Sequence, residues 1–421
     1  MGFGRRRCYT PESVDLFTPV AFTQIPMRLI LLTLPLALTL PLSAQSPMFR
    51  GNPAHTGVYA APTKPIEGKI AWSFEAMNWD RYQKLENMDG GFTWPTTPAI
   101  VNGRIYFCAG PFFVVVDETG KEVYRVPLDG RSLASPAVVG DLAYVPTDQG
   151  VLLALDLTDG HVRWSTAISH KSFTRLVDDW DVYQSSPVVA DGTVYVGSAD
   201  GCIYAVSASD GKERWHFQTN HVVRATTAVS DGRVFCGSFD GKVYALDAAT
   251  GKELWEFNTK TPGTPWNSVQ GSCAVMDGVV CVGSRSTFTY GIDAATGAIR
   301  WRHSHDGSWV PSSPSVRDGV AYIGQSDGSK VTAINAKGEA VWVFSAPHET
   351  FASPALAGDV VYVAGNDNYN LNGKGSLSAL DSKTGKVLWT LELPGSVWSS
   401  PVIVGDTVYL GCADGKLYAI K

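Results

Sequence analysis

The 421 residues are 44% hydrophobic and only 18% charged, with 42 Gly, 13 Trp and 16 Tyr. That mixture excludes a disordered tail or a charged coiled coil and suits an all-β protein with many turns and a large core. The formal charge of −6, without any cluster of Lys and Arg, argues against nucleic acid as a partner, because neutralising phosphates needs such a cluster.

Arg5, Arg6 and Arg7 lie near the start, and Met27 and Arg28 stand directly before an apolar run at 29–42 that is broken by Pro35 and Pro41. The run is short of the ~20 residues that span a bilayer. It reads as a cleavable signal peptide over 1–44, cut after Ala44, with Met27 as an alternative start. No Cys lies near the cut, so a lipoprotein anchor is not expected. The mature chain is expected to be periplasmic or secreted and to have no transmembrane segment. Without 1–44 it holds 30 Lys+Arg against 38 Asp+Glu, a formal charge of −8, which favours solubility.

A lead-in follows at 45–67, and from 68 to 421 one module recurs. It contains a strand with Ser and Pro, an Asp-Gly, Asn-Gly or Gly-Asp turn, a strand ending near Gly-Ser, an Asp-Gly loop, a strand ending in Leu-Asp, then Thr-Gly-Lys and a Trp strand. The clearest copies are 185–217 and 225–259, and others begin near Pro98, Pro136, Ser272, Pro314, Pro354 and Pro401. Four short alternating runs joined by two-residue turns make an antiparallel meander, and a meander at this period makes one propeller blade. The eighth module stops before its Trp strand, while GKIAWSFE at 68–75 has the pattern of one. The expected fold is therefore an all-β, eight-bladed propeller of four-stranded antiparallel blades. Its last blade is closed by the N-terminal strand, which removes the open edge.

The pattern Ala-x-Asp-x-x-Thr-Gly-x-x-x-Trp appears as ALDLTDGHVRW at 154–164, ALDAATGKELW at 245–255, GIDAATGAIRW at 291–301 and ALDSKTGKVLW at 379–389. It resembles the tryptophan-docking repeat of the pyrroloquinoline-quinone (PQQ) repeat propellers, and MFRGNPAHTGV at 48–58 looks like the segment preceding their first blade. That resemblance implies either a quinoprotein alcohol dehydrogenase or a non-catalytic, BamB-like assembly factor. The dehydrogenases use an adjacent Cys pair and a Ca²⁺ ion held by oxygen ligands. No two Cys are adjacent here, and no segment marks a calcium site. The size and the missing cofactor signature favour the BamB-like side, although the lipid-modified Cys of that factor is absent. No cofactor is therefore expected, with PQQ and Ca²⁺ as the alternative.

Seven Trp occupy the repeat position: Trp72, Trp164, Trp215, Trp255, Trp301, Trp342 and Trp389, with Tyr124 taking that place in the first blade. They are expected to cover the Thr-Gly turn and pack between blades. Asp156, Asp247, Asp293 and Asp381 are expected to accept turn N–H groups. The other six Trp fall in or beside connections between blades, all on one face of the ring. The expected binding face comprises Trp79, Arg81, Tyr82, Trp94, Asp179, Trp180, Tyr183, Trp266, Trp309 and Trp398, because aromatic and Arg side chains suit a protein or peptide interface. Two other readings stay open for these residues: that they stack on a sugar or planar ligand, or that they plug the channel mouth.

Smaller signals carry less. His303-x-His305 has the spacing of a metal pair without a third ligand, and no metal is expected there. The loop Asn366, Asp367, Asn368, Tyr369, Asn370, Asn372 reads as turn-forming rather than calcium-binding, and Asp178, Asp179 and Asp181 as a solvated patch. Cys8 is lost with the signal. Cys108, Cys202, Cys236, Cys273, Cys281 and Cys412 lack metal or redox spacing and are expected to be mostly small buried strand residues, with an inter-blade disulfide left open. The sequence-level expectation is an exported non-catalytic scaffold with an envelope or secreted protein partner. A PQQ-dependent dehydrogenase and a sugar- or small-molecule-sensing propeller are the alternatives.

Overall fold

The computed structural model describes residues 45–77, 94–169, 183–263, 266–367 and 373–421. Asn-Gly and Asp-Gly pairs between apolar runs close the hairpins. At Asn102-Gly103, Asp191-Gly192, Asp231-Gly232, Asp277-Gly278 and Asp318-Gly319 both residues have φ between 46° and 74°. These are type I′ turns, whose twist matches that of the strands they join. The strands form eight antiparallel sheets arranged as a β-propeller. Three-residue inner strands run Ala99–Val101, Ala137–Val139, Val188–Ala190, Ala228–Ser230, Ala274–Met276, Ser315–Arg317, Ala355–Ala357 and Val402–Val404.

The last blade closes as the repeat predicts. Ile70–Glu75 pairs antiparallel with Lys416–Ile420, with Trp72 opposite Ala419 and Phe74 opposite Leu417. Every blade carries a register shift beside its docking residue, between Val162 and Trp164, Ile70 and Trp72, Ala245 and Leu246, and at the equivalent place in the other five. A bulge there re-aims the ring toward the next blade. Trp164 Nε1 donates to Ala208 O (3.2 Å), Trp215 to Ala248 O (3.0 Å), Trp255 to Ala294 O (3.1 Å) and Trp342 to Ser382 O (2.9 Å). Tyr124 Oη does the same to Leu157 O. The turn beneath must be glycine: Gly251 has φ +71°, and a Cβ there would lie 2.6 Å from the Trp215 ring. The repeated Asp residues hold these turns, Asp247 Oδ1 accepting from Thr250 N (2.8 Å) and Asp381 Oδ1 from Thr384 N (2.8 Å).

Apolar clusters fill the seams between blades, the largest joining the seventh, eighth and first around Phe107, Tyr362, Leu377, Val408 and Leu417. All six cysteines of the described chain are buried free thiols, and burial pushes those of Cys108, Cys281 and Cys412 up to about 12. Among the described residues no helix is long and apolar enough to cross a membrane.

The lead-in is built into the ring. Its carbonyls accept from the central residue of six inner strands: Ser46 from Ile100 N (2.7 Å), Pro47 from Val138 (2.7 Å), Pro53 from Val229 (2.7 Å), Ala54 from Val275 (2.8 Å), Thr56 from Val316 (2.8 Å) and Gly57 from Leu356 (2.9 Å). Val58–Tyr59 then pairs in parallel with Ala355–Ala357. Inner-strand N–H groups that would otherwise face the channel are thereby satisfied by this strap.

Candidate functional site

Just before each inner strand stands a Ser or Thr, and these hydroxyls link the blades. Ser135 N donates to Ser186 Oγ (3.0 Å), Ser186 N to Thr226 Oγ1 (3.0 Å), Thr226 N to Ser272 Oγ (2.9 Å), and Ser272 N to Ser313 Oγ (2.9 Å). The chain continues with Ser313 N to Ser353 Oγ (2.9 Å), Ser353 N to Ser400 Oγ (3.0 Å) and Ser400 N to Thr97 Oγ1 (2.8 Å). The hydroxyls line the channel mouth, where about 50 Å³ of room remains above Phe49 of the strap. A water's share of liquid volume is about 30 Å³.

Beneath that mouth Arg50 is only 1% exposed. It donates to Pro354 O (2.5 Å), Pro314 O (2.9 Å) and Ser315 Oγ (2.8 Å). Burial lowers its guanidinium to about 10. His55 nearby is fully buried and lowered to about 3, by burial first and by Arg50 second. Neither ring nitrogen of His55 has a side-chain partner among the described residues.

The binding-face residues chosen from sequence divide into distinct groups. Trp94 and Trp398 are each 4% exposed and stack on one another, centroids 5.3 Å apart and planes at 19°. Phe351 and Tyr183 pack against the pair. Trp94, Tyr183 and Trp398, three of the ten residues, therefore fill the mouth and offer little contact area to a partner. Trp266 is 47% exposed and meets Trp309 edge to face at 5.6 Å, while the buried Arg285 guanidinium sits 4.8 Å from the Trp309 ring and 5.1 Å from that of Phe239. Trp79, Arg81, Tyr82, Asp179 and Trp180 lie outside the described residues, as do Asp178, Asp181, Asn368, Tyr369, Asn370 and Asn372. The meander topology puts the blade-to-blade connections on one face with the second-to-third-strand loops, so Trp266 and the mouth share that face.

The His pair is brought together, rings 5.0 Å apart and nearly perpendicular, but each ring is engaged. His303 Nδ1 lies 2.9 Å from Gly338 O and His305 Nε2 lies 2.7 Å from Thr289 Oγ1. Ligand atoms of Asp156, Asp159 and His161 gather within 4.8 Å, yet Asp156 is taken by Thr158 N (2.8 Å) and Arg163 (2.7 Å) and Asp159 by His161 (2.6 Å). That turn is on the opposite face. Sequence reasoning missed Glu349, whose Oε2 is buried without a partner among the described residues. Burial first, then Asp327 and Asp367, raise its carboxyl to about 7. Only the fold brings those three acids near one another.

A family model described as outer membrane protein assembly factor BamB matches residues 59–179, 170–308 and 290–421. A BamB of Alkalilimnicola ehrlichii is 36% identical over 89 residues, a stretch covering 20% of this chain and 22% of that relative. The matched stretch thus spans under a quarter of the relative's length. The crystal structure of BamB from Moraxella catarrhalis superposes with a TM-score of 0.63 at 18% identity, covering 83% of this chain and 96% of that one. The quinohemoprotein alcohol dehydrogenase of Comamonas testosteroni gives 0.69 at 15% identity, covering 89% and 80%. Both likenesses are of fold. The chain belongs to the family of the matched model.

Proposed function

We propose that this member of the BamB-type propeller family is an exported, non-catalytic scaffold that docks a protein or peptide of the cell envelope on its loop-rich face. The observation that carries the reading is Trp266. An indole 47% exposed, backed by Trp309 and the Arg285 stack beneath it, is a preformed aromatic anchor of the kind that dominates protein interfaces. The ring of hydroxyl links and the internal strap support the same reading, because they make the face a rigid platform that needs little ordering on binding.

The dehydrogenase-like alternative is favoured by the fold likeness and by a stretch of 86 residues that is 34% identical to the Comamonas testosteroni quinohemoprotein alcohol dehydrogenase, 12% of that relative's length. Against it, the mouth offers about 50 Å³, the space between Trp94 and Trp398 is closed by their own stacking, and no carboxylate is among the described residues lining that room. These features do not fit a tricyclic quinone with a calcium ion.

The test is photo-crosslinking in the native host with a reactive residue at position 266, followed by capture with Trp266→Ala and Trp309→Ala. A discrete envelope protein that crosslinks at 266 and is lost at least tenfold in both variants is the expected result. Unchanged capture by both variants would overturn the anchor assignment. Saturable binding of PQQ with Ca²⁺ by calorimetry would overturn the non-catalytic reading.

A further inference from the structure

Among the described residues, the mouth cavity is lined by many groups that can donate a hydrogen bond and by no acid. Around it stand the linking hydroxyls, Arg224, Gln184, Gln270, Tyr183, Trp94 and Trp398, over the Phe49 floor. The seven acceptor hydroxyls, on Thr97, Ser186, Thr226, Ser272, Ser313, Ser353 and Ser400, each use a lone pair on a neighbouring blade's N–H. That leaves each with a proton to donate. Two more donors converge on the same place: Tyr183 Oη and Trp398 Nε1 are buried and have no partner among the described residues.

Charge points the same way. Arg50 bonds the carbonyls of Pro314 and Pro354, the residues directly after Ser313 and Ser353 of the ring, so its guanidinium lies immediately below the cavity floor. It has no ion-pair partner among the described residues, only carbonyls and one hydroxyl. A buried cation without a counter-ion is costly, and a free donor left dry is costly as well. One small anion above Phe49 would offset both.

We propose that the channel mouth is a binding site for a small monoanion, a halide or a short carboxylate, held by Trp398 Nε1, Tyr183 Oη and the linking hydroxyls and balanced in charge by Arg50. The room of about 50 Å³ suits an ion or a carboxylate-sized group and leaves no place for a sugar. This site is independent of the docking face at Trp266, and either can fail without the other.

The test uses the whole mature protein. Its thermal unfolding is followed while sodium bromide, sodium acetate or sodium sulfate is added at constant ionic strength, and crystals soaked in bromide are measured for anomalous scattering. The expected result is a saturable rise in melting temperature with bromide or with acetate and none with sulfate, and bromide density within hydrogen-bond reach of Trp398 Nε1 when bromide is the active ion. Bromide alone identifies a halide site, and acetate alone a carboxylate site. Trp398→Phe and Tyr183→Phe keep the rings and remove one donor each, so each should weaken binding about tenfold, as the loss of one charge-assisted hydrogen bond does. Water at that position in the bromide crystal together with no saturable response to either monoanion overturns the proposal. So do variants that titrate like the parent protein.

Discussion

The backbone N–H of Ser400 donates to Thr97 Oγ1 at 2.8 Å across 303 residues of sequence. Through that bond the last blade grips the first with the device used between interior neighbours. The closure of the ring therefore rests on three kinds of contact in parallel: this hydroxyl link, the Ile70–Glu75 strand pairing, and Trp72 Nε1 donating to Glu118 O at 3.0 Å.

Replacing Thr97 by Val keeps the volume and removes the acceptor, which leaves the buried Ser400 N–H dry. A loss of about 1–3 kcal/mol is expected, whereas Thr97→Ser should cost well under that. Urea unfolding of the two variants beside the parent checks the difference, and equal midpoints would show that the link contributes nothing.

Trp255 is buried against the turn of the following blade, so Trp255→Ala should cost about 3–5 kcal/mol. Gly251→Ala should cost about 2 kcal/mol from positive φ and the clash with Trp215 together. Val162→Ala, at a half-exposed site on an outer strand, should stay within about 0.5 kcal/mol. Melting temperatures of the three place them in that order.

The two buried imidazoles make the protein acid-sensitive. His55 and His305 are lowered from 6.5 to about 3, in both cases chiefly by burial. Between those values the unfolded chain binds protons that the native state refuses, so stability rises with pH across that window and is lost as pH falls from about 6.5 toward 3. His55→Asn, which tolerates the φ of 56° at this position, should flatten the decline between pH 6 and 4. An unchanged slope would mean that His55 takes up its proton in the folded state.

Glu349 acts in the opposite sense. Its carboxyl is raised from 4.5 to about 7, so the stability it contributes is present below pH 4.5 and lost as pH rises through 7. Half-exposure and screening keep the effect to about 1 kcal/mol or less. Glu349→Gln should be more stable than the parent at pH 8 and equal to it at pH 4, as thermal melts at the two pH values would report.

Much of this was readable from the chain because a repeat states each contact several times. The closing strand, the docking Trp residues and the turn Asp residues each stood at a fixed place in ALDAATGKELW and its copies. The strap was not readable. Its bonds to Ile100, Val138, Val229, Val275, Val316 and Leu356 are made by backbone carbonyls, which leave no trace in side-chain identity. Ser before Pro was visible at most blade starts, but a hydroxyl that bonds to the next blade looks the same in sequence as one facing water. Trp266 and Trp398 lie in the same class of connection, and only packing distinguishes the exposed indole from the buried one. Glu349 drew no attention because Asp327 and Asp367 are distant from it along the chain.

The strap also sets the order of events in folding. Residues 46–57 are made before any inner strand exists, yet their partners are spread over residues 100–356. The strap can pair with each blade as it forms but cannot complete its bonds until the seventh blade is in place. Such long-range closure raises contact order and slows the final step. Once in place, the same bonds withdraw the strap from proteases, so resistance of residues 46–57 to cleavage would mark the moment at which a nascent ring becomes a finished one.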